Sequence, residues 1–71
     1  MRLKDPSLVR LGKRIKALRL RAKLTQEDMI DFGVSVKHYQ RLEQGLIDPK
    51  LSTLMKLCKA FKCRLDEMRD K

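Results

Sequence analysis

Two helix-start signals separated by a single glycine restrict the folding of this chain more than any other feature. In residues 24–45, LTQEDMIDFGVSVKHYQRLEQG, Thr25 can cap a helix, and Asp28 three positions on completes a capping box. Leu24 and Met29 then occupy the N′ and N4 positions, where an apolar pair fixes the entry angle of the chain. Gly33 breaks the helical pattern, and the start signal repeats, with Ser35 as cap and Val34 placed to staple onto Tyr39. Gly45, the residue type that most easily turns left-handed, ends the second helix. The stretch predicts two short helices joined by a tight turn.

The flanks carry the same periodicity. Asp5-Pro6 is a helix start, and Leu8, Leu11, Ile15, Leu18 and Ala22 recur at spacings of three and four, which puts one apolar stripe toward a core. Arg10, Lys13, Arg14, Lys16, Arg21 and Lys23 take the other faces, mostly as a solvated surface. After a loop ending at Pro49, Leu51, Leu54, Met55, Cys58 and Phe61 predict a fourth helix, with Leu57 and Ala60 broadening its stripe. A short last helix through Leu65 and Met68 is expected to dock on the first. No segment alternates with period two, and there are no internal repeats. The expected fold is all-α, with five short helices in a single compact domain spanning residues 1–71 and residues 1–5 as an arm.

Among 71 residues, 18 Lys+Arg against 9 Asp+Glu give a net charge of +9, which points to nucleic acid, an anionic membrane or an acidic protein. The charge is uneven. Residues 1–24 hold nine basic groups against Asp5 alone, residues 25–48 hold two against five acids, and residues 49–71 hold seven against three. The two-helix unit is thus acidic, and its flanks supply the attraction to phosphate. Cys58 and Cys63 are not a C-x-x-C pair, and with one histidine there is no zinc spacing, so both read as small core residues. No metal, cofactor or membrane span is expected, and the chain reads as soluble and cytoplasmic. With no nucleophile beside a base, no phosphate loop and no paired carboxylates, it does not read as an enzyme.

Two helices with a glycine turn form the frame of a helix-turn-helix, whose second helix enters the DNA major groove. The segments RIKALRLRAKLTQEDM, GVSVKHYQRLEQG and DPKLSTLMKLCKAFKCRLDEM resemble the lambda-repressor-like, Cro/XRE-type helix-turn-helix family over roughly residues 8–68. The resemblance implies a five-helix domain that binds operator DNA, usually as a homodimer on a pseudo-palindromic site. It assigns Gln26 to a DNA phosphate or to clamping the recognition helix, and Val36, Lys37, Gln40 and Arg41 to base edges. It also pairs Arg19 with Glu43 in a salt bridge between the first and third helices. The chain departs from the family pattern in three places. Between Gln26 and Gly33 it is one residue short, so the second helix or its turn must be trimmed. Lys23 stands where glycine often closes the first helix, and Lys50 where serine often caps the fourth.

On the third helix, about 36–44, Tyr39 and Leu42 point inward while Lys37, Gln40, Arg41 and Gln44 form one polar stripe. These side chains suit base edges: Arg41 with guanine, Gln40 with adenine, Lys37 with guanine or phosphate, and Val36 against a thymine methyl. His38, Gln44 and Lys50 are candidate phosphate contacts. The expected function is a DNA-binding transcriptional regulator. Its domain takes up the chain, which suggests a Cro-like repressor, a restriction–modification controller or an antitoxin-type autoregulator. The alternative is a protein-interaction module of the same fold, such as a coactivator or antitoxin that mainly binds a protein partner. A homodimer surface is expected at Phe61, Leu65 and Met68.

Overall fold

A computed structural model describes residues 5–68, so the expected arm lies outside the described residues except for Asp5. Asp5 accepts a hydrogen bond from the Ser7 amide at 2.8 Å and, with Pro6 at the first helical position, starts α1 (Pro6–Arg21). A 3₁₀ helix, η1 (Glu27–Phe32), follows, then α2 (Val36–Glu43), α3 (Leu51–Phe61) and a single turn, α4 (Leu65–Met68). Among the described residues the chain is all-α, with five helices.

The local signals fold as expected. The Asp28 amide donates to Thr25 Oγ1 at 3.2 Å, and the Thr25 amide donates to Asp28 Oδ2 at 2.7 Å, a reciprocal capping box. Ser35 caps α2 by accepting from the His38 amide at 3.2 Å. All four longer helices end in one way: a left-handed residue is followed by an amide that reaches five residues back. The bonds are Leu24 to Arg19 (3.2 Å), Val34 to Met29 (3.1 Å), Leu46 to Arg41 (3.0 Å) and Cys63 to Cys58 (3.0 Å). The left-handed residue is Gly33 or Gly45 at two of these closures and a lysine, Lys23 (φ 61) or Lys62 (φ 52), at the others. A side chain in that region costs about 1–2 kcal/mol, while glycine adds back about 0.5–1 in chain entropy. Lys23→Gly is therefore expected to stabilise the fold by up to about 1 kcal/mol, read as a higher urea midpoint. An unchanged or lower midpoint would contradict the strain assigned to Lys23.

The missing residue of the second helix has a structural answer. Residues 27–32 are wound as 3₁₀ rather than α. At about 2.0 Å per residue, six such residues advance as far as about eight α-helical ones, so the shortened segment still reaches the turn. Met29 is fully buried there, and Gly33 (φ 85) turns the chain into α2.

The core is Ile15, Leu18, Met29, Val34, Tyr39, Leu42, Leu57, Ala60, Phe61 and Met68, with Leu11, Ala22, Leu24, Phe32, Leu54 and Cys58 packed around it. Two expectations are corrected here. On α3 the buried side is Leu57, Ala60 and Phe61, while Leu51 and Met55 stand 58% and 56% exposed. The apolar arc of the helix is wide, and packing against η1 selects which part of it is buried. The second concerns the residues expected to form a dimer surface. Phe61 and Met68 are buried and Leu65 is half-buried, because α4 folds back onto α1. Glu67 holds it there, accepting at its carbonyl from Arg14 Nε (2.6 Å) and at its carboxylate from Arg21 Nη2 (3.1 Å).

Candidate nucleic-acid interface

Helix α2 lies against α1 through its buried Tyr39 and Leu42, and its other side is bare. Lys37, His38, Gln40, Arg41 and Gln44 are exposed, Val36 is half-buried, and Lys50 is exposed at the start of α3. The seven side chains expected to touch DNA from α2 and the following loop are thus accessible together, with Val36 presenting only part of its surface. Lys50 holds the capping position of α3 with no side-chain bond to the helix, which leaves its ammonium in solvent.

Beneath this surface runs a hydrogen-bonded chain of side chains. Arg19 Nε donates to Glu43 Oε2 at 2.7 Å, its Nη2 to Glu43 Oε1 at 3.4 Å, and its Nη1 to the Leu24 carbonyl at 2.9 Å. Gln26 Nε2 donates to Glu43 Oε1 at 3.1 Å, and Gln26 Oε1 accepts from Gln40 Nε2 at 3.0 Å. Arg19 and Glu43 keep only 10% and 7% of their side-chain surface exposed. Burial alone would push the Glu43 carboxyl up, but the hydrogen bonds from Arg19 and Gln26 outweigh it and hold it below the ordinary carboxylate range. The hydrogen bond to Glu43 likewise raises the Arg19 guanidinium, against the opposing effect of burial. The buried Tyr39 hydroxyl faces this pair without reaching hydrogen-bond geometry, and burial raises its ionisation far above that of a free phenol.

Gln26 was assigned two roles by resemblance, and in the free protein it ties η1 to α2. Gln40 spends one N–H on that tie and keeps its carbonyl and second N–H outward. Sequence reasoning missed Lys56, whose Nζ donates to the Gly33 carbonyl at 3.5 Å and puts a cation at the turn. It also missed Gly12, which lets α1 approach the Leu42 and Glu43 carbonyls closely. Glu67 carried a faint signal: its carboxylate reaches back to the Arg64 amide at 2.9 Å, half of a capping box. Among the described residues no group of three or more His, Cys, Asp or Glu is arranged to hold a metal ion, and no helix is long and apolar enough to cross a membrane.

This arrangement is shared with known proteins. Residues 15–68 match the family described as helix-turn-helix, and the chain belongs to that family, in its Cro/C1-type branch of DNA-binding transcription regulators. Among solved structures it is similar to the restriction-modification controller protein C.AhdI from Aeromonas hydrophila. The two are 27% identical and superpose with a TM-score of 0.81, covering 86% of this chain and 94% of that one. Among curated protein sequences nothing matches.

Proposed function

We propose that this protein is a sequence-specific transcriptional regulator that binds operator DNA as a homodimer, with α2 in the major groove. The observation that carries the reading is the division of α2: Tyr39 and Leu42 are 0% and 2% exposed, while Lys37, Gln40 and Arg41 are exposed on the opposite side. Arg41 can pair bidentately with a guanine edge. Gln40 retains the acceptor and donor that an adenine edge requires, and its bond to Gln26 limits the rotamers it must give up on binding. His38, Gln44 and Lys50 supply phosphate contacts that set register, with Lys37 and the Val36 methyls completing the groove surface. Self-association uses α3, where Leu51 and Met55 lie one turn apart on one exposed side. Of the three kinds of regulator that the sequence admits, likeness to C.AhdI favours a controller of restriction–modification genes.

The test is footprinting on DNA upstream of the protein's own gene, followed by base-by-base preference of the Arg41→Ala variant. Arg41→Ala is expected to weaken specific binding by about 1–3 kcal/mol and to relax one position per half-site. An unchanged base preference in a folded variant would remove Arg41 from the groove. The rival reading, a protein-interaction module, is favoured by Ile30, 59% exposed on η1 beside the exposed Glu27 and Asp31. A regulator shows a steep salt slope and a large preference for its own site over random duplex, which such a module does not.

A further inference from the structure

The joint between α3 and α4 holds two thiols that the DNA-facing surface does not use. Cys58 lies in the last turn of α3, and Cys63 follows the left-handed Lys62. The Cys63 amide donates to the Cys58 carbonyl at 3.0 Å, and the Lys62 amide to the Lys59 carbonyl at 3.4 Å. In this closure the residues at the two ends turn their side chains toward each other. The same two positions at the end of η1 are Met29 and Val34, and both are buried in the core. Here both positions are cysteine.

The backbone bond also limits the separation of the two residues. With bond lengths of about 1.2–1.5 Å on either side of it, the two Cα atoms lie at most roughly 7 Å apart, and closer for any bent path. A disulfide spans about 4.4–6.8 Å between Cα atoms. Burial and the neighbouring Cys58 thiol push the Cys63 thiol up to about 11. Behind the pair, Cys58 Sγ rests 3.9 Å from Met68 Sδ, and Met68 is buried against α1. Both cysteines are free and half-buried, within reach of a small oxidant.

We propose that Cys58 and Cys63 form an oxidisable dithiol, which a peroxide closes into an intramolecular disulfide across the end of α3. One of the two sulfurs attacks the peroxide oxygen, breaking the O–O bond and giving a sulfenic acid and water. The other sulfur then displaces the hydroxyl, which leaves as a second water with that thiol's proton, and the S–S bond forms. Two thiols and one hydrogen peroxide yield one disulfide and two waters. The new ring encloses Lys62, a lysine held where glycine normally sits, and fixes the joint that seats α4 on α1.

The experiment treats the full, reduced chain at widely separated protein concentrations with one fixed hydrogen peroxide concentration, in excess over the most concentrated sample. Intact mass, thiol titration and non-reducing gels follow the product. Both thiols are expected to disappear together from a monomeric species that has lost two hydrogens, with a half-time independent of protein concentration. Peptide mapping should place the link at Cys58–Cys63, and the oxidised protein should melt several degrees higher. In Cys63→Ser, a sulfenic acid on Cys58 should be trapped by a cyclic dione. Disulfide-linked dimers as the main product would overturn the proposal. So would a sulfinic acid on one cysteine with the other still titratable. The wild-type product decides the matter even if a serine variant misfolds.

Discussion

Arg19→Ala is expected to be among the most damaging single substitutions in this chain, lowering stability by about 3–5 kcal/mol. The side chain leaves three bonds behind: two to the Glu43 carboxylate and one to the Leu24 carbonyl at the end of α1. Glu43 would keep only the Gln26 amide as a partner, so its charge would stay buried with little compensation. A domain of this size has roughly 4–10 kcal/mol in total, and the variant would sit close to its unfolding midpoint at physiological temperature. A double variant lacking both Arg19 and Glu43 should lose less than the two single losses added together, because no charge is then stranded. Urea melts of the wild type, both singles and the double give the coupling directly. Loss of DNA binding with stability intact would instead place Arg19 on the DNA-facing surface.

The same pair gives stability a pH dependence with a definite sign. The Glu43 carboxyl is lowered in the folded state from its ordinary 4.5. Its contribution is therefore fully present above that value, and it is lost as the pH falls through the lower, folded one. Wild-type stability should decline on acidification below about pH 5 more steeply than that of the double variant.

What was legible in the sequence was local. Thr25 with Asp28, Ser35, Gly33 and Gly45 act on amides and carbonyls within a few residues of themselves, so their spacing suffices to place two helices and a turn. The bare stripe of α2 was legible for the same reason, since Tyr39 and Leu42 are its only large apolar residues after Val36. On α3 that logic gave no unique answer. Leu51, Leu54, Met55, Leu57, Cys58, Ala60 and Phe61 cover more than half of the helix circumference, and only the position of η1 decides which of them are buried. Arg19 and Glu43 are 24 residues apart, and no periodicity links them; family resemblance alone paired them. Gly12 was unreadable for an opposite reason, because a glycine inside a helix reads as a small local cost.

Gly12→Ala reverses that local expectation. In an isolated helix, alanine in place of glycine would gain about 0.5–1 kcal/mol. Here the new Cβ would lie 2.5 Å from the Glu43 carbonyl oxygen, 2.6 Å from that of Leu42 and 2.9 Å from the Glu43 carbonyl carbon. These are backbone atoms at the end of α2, so no side chain can rotate away and α2 itself must move. Gly45 lies on the same seam, where a Cβ would be 2.8 Å from the Val9 Cα, so the close approach of α1 to the end of α2 spans both glycines. Overpacking of this kind costs about 1–3 kcal/mol beyond the propensity gain, which in a domain this small is a fall on the order of 10 °C in Tm. Base preference should loosen as well, because Gln40 and Arg41 are carried on the displaced helix while phosphate contacts from the loops persist. Substituting an exposed α1 residue such as Lys16 by alanine supplies the comparison, with no loss expected. A Gly12→Ala protein that melts at or above the wild type would mean that α1 and α2 stand further apart than these distances place them, and that the seam does not set the pose of the recognition helix.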